Sequence, residues 1–408
     1  MSKFYPALTI GDTIGYFDEA DKRNVMSIRR LFPPSMQERA LMSLSFDERI
    51  HYSTKESDGE NREISELPGL GQINDVFVDC GAFSYRNMDV PRFPKGGTVN
   101  SLTALEEYQD RHLSRLPESD FILCSPDHII TQEMDDETAG ARFEFTRRSA
   151  TGFLNRTKGM GNVTAVAVAH GRTPEERARM TAELIEMGYE YIAFGGLVPM
   201  ARNAHTVLSH LTGSSPLDTP NHMISEDSAL GIAKRAGVRT HLFGLNSPEW
   251  YRWIKRLGVD SFDGSKLSTE GAVNGIIWME EDFSMDDIPK DANSLYRRLS
   301  VKKIEQREMV DEGDSWTLDV SEDGVIDLDN PAWEYLSSSR CTSPNCPHPK
   351  PHNCDPRVTG SIEHNMGRTI LNAWAFESIM GKIDAICEKA ASSDDDNLRE
   401  NWSPIEVS

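Results

Sequence analysis

The 408-residue sequence contains no apolar run of about eighteen residues, so it offers no helix able to span a bilayer. It shows no internal repeat at solenoid periods, which argues against a stacked-repeat fold. Residues 1–23 lack the basic-then-apolar layout of a secretory signal, and this predicts a cytoplasmic protein that makes no membrane contact. Cysteine is scarce, 6 in all, too few for a disulfide scaffold in a chain this long. Positive charge is also short: 43 Lys and Arg stand against 65 Asp and Glu, for a net charge of −22. A nucleic-acid enzyme usually carries a basic footprint. The deficit means either that the partner is not nucleic acid or that the protein lives in a salt-rich cytoplasm, where a carboxylate surface stays solvated and salt screens repulsion. Arginine outnumbers lysine and acidic runs such as 394–397 recur, which favours the second: a halophilic, viral or archaeal source, with basic residues gathered near the active site.

What the sequence does have is enough apolar material for a core, 38% of residues, and a rhythm. Residues 1–72 are polar and turn-rich and read as an N-terminal extension packed on the main domain. From there, short apolar runs alternate with helical spacing. The strand-like runs are 76–81, 121–124, 164–171, 191–196, 240–244 and 259–264; the helix-like segments are 102–116, 140–156, 173–188, 225–237 and 247–258. Thr173 and Ser247 each precede a proline, as an N-cap before a first-position proline should. Strands buried on both faces and joined by helices predict a parallel α/β sheet. Polar residues fall just after the strands: Asp79, Asp127, His170, Asn246 and Asp263. An eight-stranded barrel gathers all its strand C-termini at one mouth, whereas an open sheet spreads them along an edge, so the pattern favours a TIM-type (β/α)8 barrel over residues 73–335 with insertions. Residues 336–390 then form a metal-binding segment and a long amphipathic helix at 365–390, and 391–408 read as a disordered tail.

Three cysteines lie in one short, proline-rich stretch as Cys341-x4-Cys346-x7-Cys354, with His348, His352 and His364 nearby. Three thiolates and one imidazole suit tetrahedral zinc, and a closed set of four points to a structural site with no open position for hydrolysis. Cys80, Cys124 and Cys387 are scattered and read as small buried hydrophobes. Asp79 and Asp263 each end a strand and precede a turn. A carboxylate at a barrel mouth can attack an anomeric carbon, and glycosyl transfer with retention commonly needs a second carboxyl group; each aspartate also fits as a simple turn cap. Gly195-Gly196 can bring backbone N–H groups against a flat ligand or can be an ordinary turn.

Five strings in this order resemble tRNA-guanine transglycosylases. FVDCGAFSY (77–85) is similar to that family's D-S-G-G-[YF] segment, YIAFGGLVP (191–199) to its I-G-G-L-A loop, and HLFGLNSPEW (241–250) to L-M-G-V-G-T-P-E. GVDSFDG (258–264) is similar to G-V-D-M-F-D-C, and IEHNM (362–366) to the I-H-N that supplies a zinc histidine. The resemblance implies a (β/α)8 barrel with a C-terminal zinc-binding subdomain held by Cys341, Cys346, Cys354 and His364. It implies Asp263 as nucleophile, Asp79 as the proton-transfer and base-contact residue, Asp127 as a reader of the guanine edge, and Gly195 and Gly196 as backbone contacts to the base. His170 stands where the family has Gln, as a base contact or a structural residue. The family's arginine-bearing P-T-R-x-A-R-x-G run is replaced by KLSTEGAVNG (266–275), which has no arginine.

That departure looks more like the DNA-modifying branch, the DpdA-type 7-deazaguanine DNA transglycosylases. The function this implies is a pentosyltransferase that exchanges guanine in DNA for a free 7-substituted 7-deazaguanine base. The target nucleotide would leave the stack to reach the site, because its C1′ is inaccessible inside a duplex. Two rivals stand beside it: the same chemistry on tRNA, as in queuosine or archaeosine synthesis, and a catalytically inactive barrel that binds nucleic acid. A homodimer or helper proteins are compatible with either.

Overall fold

The computed structural model describes residues 2–7, 32–45, 73–213, 223–300 and 362–407, except positions 95 and 115, with four short strands at 13–16, 24–27, 53–55 and 61–63. Eight parallel strands make one sheet: β1 (Lys3–Pro6), β2 (Arg39–Ser43), β3 (Asp75–Asp79), β4 (Asp120–Cys124), β5 (Val163–Ala169), β6 (Tyr191–Phe194), β7 (Arg239–Leu242) and β8 (Ser261–Gly264). Neighbours in space are neighbours in the chain, and β8 pairs with β1 in parallel register, Tyr5 opposite Asp263. The remaining edges, β1 and β2, meet through a parallel bridge between Ala7 and Leu41, so the sheet nearly closes into a barrel.

The connecting helices include α1 (Ser101–Tyr108), which widens into a π turn over Gln109–Leu113, α2 (Asp136–Thr157) and α3 (Pro174–Glu186). They continue with α4 (Ala204–Thr212), α5 (Ala229–Arg235) and α6 (Pro248–Leu257). The expected caps are present: Thr173 accepts from the N–H of Glu176 at 3.2 Å and Ser247 from that of Trp250 at 3.3 Å. The cap of α5 is Ser228 and not Ser225, three residues later than the spacing predicts.

Three expectations need correction. The barrel does not begin at residue 73: β1 and β2 come from the stretch read as an extension. Both are short and flanked by charge or proline, so neither forms a continuous apolar run. The barrel is also complete at Gly264; residues beyond it form an antiparallel hairpin, β9 (Ile276–Glu280) and β10 (Tyr296–Ser300), outside the sheet. Finally, the tail is ordered through residue 407. After α7 (Ile362–Ala391) comes α8 (Asp396–Trp402), whose Trp402 is buried and donates to the carbonyl of Pro289 at 2.8 Å. Arg252 and Arg256 on α6 bind the carbonyls of Asn401, Ser403 and Glu400, which pins this segment to the barrel wall.

The core has two layers. Tyr5, Phe77, Ile122, Val166, Val168 and Tyr191 fill the barrel interior. Outward-facing residues of the same strands pack under the helices; Phe4 and Phe262 stack at 5.0 Å, and Phe376 of α7 meets Phe4 edge-on at 5.2 Å. Among the described residues no helix is long and apolar enough to cross a membrane.

Candidate active site

Side chains alternate between the two faces of a strand, so the inward set of each barrel strand continues in steps of two toward the mouth. Phe77 leads to Asp79, Val168 to His170, Ala193 to Gly195, and Ser261 to Asp263. These positions, with Gly196 and Asp127 from the loop after β4, line one cavity of about 1010 Å³ at the C-terminal end of the strands. Every substrate-contacting and catalytic residue expected from the sequence therefore reaches the same space.

Asp263 is 5% exposed. Its Oδ1 accepts from Nε2 of His241 at 3.1 Å and from the N–H of Gly244 at 2.9 Å; Oδ2 has no hydrogen-bond partner among the described residues, and the residue lines the cavity. Asp79, which also lines the cavity, has the same asymmetry: Oδ1 accepts from Ser43 Oγ at 2.9 Å and from the N–H of Gly81, and Oδ2 has no hydrogen-bond partner among the described residues. Gly81 can make that turn because φ is +78°, and a Cβ there would meet the Ser45 backbone nitrogen at 2.6 Å. Burial raises the Asp79 pKa to about 7; the two hydrogen bonds oppose this, and the charges of Asp263 and Asp127 reinforce it. A carboxyl group near 7 is half protonated at neutral pH and can both give and take a proton.

Asp127 differs. It is 4% exposed and both oxygens have protein partners. Oδ1 accepts from the Cys80 thiol at 2.9 Å, and Oδ2 lies 2.6 Å from Nε2 of His170. Each carboxylate oxygen has two lone pairs, so acceptor capacity for a ligand remains. Burial pushes the Cys80 thiol well up, which keeps it protonated and donating; it is thus a buried polar partner and not simply a small hydrophobe. Cys124 and Cys387 are buried free thiols. His170 is fully buried, and its Nδ1 has no hydrogen-bond partner among the described residues.

Gly195 and Gly196 form a floor against this histidine. A Cβ at Gly195 would stand 2.5 Å from His170 Cε1; at Gly196, where φ is +70°, a Cβ would lie 3.0 Å from the Ile130 carbonyl oxygen. Behind them Arg177 of α3, fully buried, donates from Nη1 to the carbonyls of Ala169 at 2.7 Å and Gly195 at 2.8 Å.

The sequence reading missed His241, Ser261, Tyr191 and Arg177. A histidine in the middle of THLFG was the one available signal, since a buried imidazole needs partners. It also missed Phe83, 64% exposed on the cavity wall with the Arg86 guanidinium 3.8 Å over its ring. Cys341, Cys346 and Cys354 lie outside the described residues, as do His348 and His352; His364 falls on α7, with only its backbone described. Among the described residues no group of three or more His, Cys, Asp or Glu is arranged to hold a metal.

No family model matches the chain. Over 190 residues it is 27% identical to a DNA-guanine transglycosylase from Salmonella montevideo. That likeness supports the transglycosylase superfamily. The aligned stretch is 46% of this chain and 39% of the relative, so the chain spans about two fifths of that protein's length.

Proposed function

We propose that this chain is a guanine transglycosylase that exchanges guanine in DNA for a free 7-substituted 7-deazaguanine through a covalent Asp263–glycosyl intermediate. One observation carries the reading: Asp79 and Asp263, each with Oδ1 held by two donors, line the same cavity. Oδ2 of Asp263 attacks C1′ of the extruded nucleotide as the bond from C1′ to N9 breaks. The electron pair stays on the departing guanine, which takes a proton from Asp79. The incoming base returns its N9 proton to Asp79, attacks C1′ and releases the Asp263 carboxylate. Atoms and charge balance without a redox cofactor. Asp127 and the backbone of Gly195 and Gly196 hold either base, and His170 holds Asp127. Cys341, Cys346, Cys354 and His364 hold a structural zinc as part of this proposal, and metal analysis should find one zinc per chain.

DNA is favoured over tRNA because 266–275 lacks the family's arginines and the relative is a DNA-guanine transglycosylase. Wild type and Asp263→Ala are to be incubated with a DNA oligonucleotide or with tRNA, each with a labelled 7-deazaguanine. The expected result is incorporation into DNA by wild type and a loss of at least about a thousandfold in the variant. Incorporation into tRNA alone would reassign the substrate; undiminished incorporation by Asp263→Ala would remove the nucleophile.

A further inference from the structure

We infer that His241 is the positioning residue of the proposed nucleophile: a one-way hydrogen-bond chain from Tyr191 through Ser261 to His241 fixes Oδ1 of Asp263 and leaves Oδ2 as the reacting oxygen. The inference rests on the reading of Asp263 given above. Nε2 of His241 is 3.1 Å from Asp263 Oδ1, Nδ1 is 2.7 Å from Ser261 Oγ, and Ser261 Oγ in turn bonds the Tyr191 hydroxyl.

One condition orients every proton in this chain. A carboxylate only accepts, so Nε2 must carry a hydrogen. A neutral imidazole then offers Nδ1 as an acceptor, so Ser261 must donate there. Its oxygen is left to accept from Tyr191. The Gly244 N–H, at 2.9 Å from the same Oδ1, completes the clamp.

The surroundings keep the imidazole neutral. His241 is fully buried, with Phe77 stacked on it at 4.1 Å and Phe243 edge-on at 4.7 Å. Burial lowers its pKa, although the bond to Asp263 opposes this. The titratable groups around it are Asp263 on β8, Tyr191 on β6 and Tyr5 on β1, whose hydroxyl bonds Asp75 at 2.9 Å; Arg239 covers the Tyr191 ring at 4.4 Å. Both tyrosines are pushed up by burial and stay protonated. The clamp therefore aims the Asp263 carboxylate without cancelling its charge, as an imidazolium would.

Two readouts test this. In protein labelled with 15N-histidine, with the His241 signals assigned by difference against His241→Gln, the expected spectrum at pH 7 is a neutral ring protonated on Nε2. A ring protonated on Nδ1, or an imidazolium, would overturn the chain of donors. This readout needs no activity, so it judges the inference even if wild type exchanges no base, a result that would instead sink the function proposed above. In exchange assays His241→Leu should lose about a hundredfold in kcat with KM for the free base unchanged. His241→Gln, whose side-chain N–H can still donate to the carboxylate, should recover most of the rate. Ser261→Ala removes the donor to Nδ1 but leaves the carboxylate at Nε2, so the ring should stay protonated on Nε2. Equal kcat in the Leu and Gln variants would reduce His241 to a packing residue.

Discussion

At Asp79 opposing influences act on a single carboxyl group. Ser43 and Gly81 donate to it and favour its charged form, while burial and the charges of Asp263 and Asp127 favour the neutral one; the second set prevails, with a pKa of about 7. A folded-state value raised above the ordinary 3.8 means that the stabilising contribution is present below the unfolded value and is lost as pH rises through the folded one. Asp79→Asn imitates the protonated form. It should abolish exchange yet exceed wild type in stability on the order of 1–3 kcal/mol at pH 8, with little difference near pH 4. Urea denaturation at the two pH values measures this; a gap independent of pH would contradict the assigned cause. The positions of Asp79 and Asp263 were legible in the sequence because each follows a buried strand by one step of the alternation. Their electrostatic coupling was not, since the long stretch of chain between them carries no record of which strand ends converge. His241 was hidden for a related reason: inside a strand, an imidazole that orients a carboxylate and one that merely fills space have the same sequence signature.

Elements place these residues, and α3 does so through Arg177. Its guanidinium satisfies the carbonyls of Ala169 and Gly195, so it joins the ends of β5 and β6 directly behind His170 and the glycine floor. Gly171 permits the approach: a Cβ there would lie 2.4 Å from the Arg177 backbone nitrogen. Burial lowers the Arg177 pKa to about 9, which still leaves it charged at neutral pH. Arg177→Met keeps most of the volume but takes the donor from the buried Gly195 carbonyl, while the Ala169 carbonyl still accepts from the Gly195 N–H at 3.2 Å, so a loss of about 1–3 kcal/mol in chemical denaturation is expected. A loss under about 0.5 kcal/mol, the ordinary surface range, would show that the Gly195 carbonyl finds another partner. The helix itself was readable from Thr173, Pro174 and its acidic first turn. Its tie to two strand ends was not, because an arginine at helical spacing normally reads as a solvated position. The first two barrel strands were missed on the same logic: with Lys3, Arg39 and Ser43 in them, neither looks buried until the other six strands surround it.

Across the whole molecule the charge of −22 and the polyanionic substrate proposed above require reconciliation. The cavity offers one through depth. Its carboxylates Asp79, Asp127 and Asp263 sit at or just past the strand ends, whereas Arg86 and Arg202 come from turns and Lys266 from the short helix Lys266–Ser268 that form its wall. Arg202 is exposed, and Lys266 has Glu270 at 3.6 Å. Phosphates approaching this mouth would meet loop cations before the net charge, and salt would screen the distant acidic surface more than these close contacts. Arg202→Glu should therefore weaken oligonucleotide binding and reduce the slope of log affinity against log salt by about one. Arg399→Glu, on the exposed side of α8, changes the net charge by the same amount at a different place and is the control. Binding isotherms across a salt series separate the two cases. If both variants lose affinity equally, the whole-molecule charge governs association and the loop cations have no local role; if only Arg202→Glu does, an acidic protein holds a nucleic acid by arranging a small number of cations where the strand must pass.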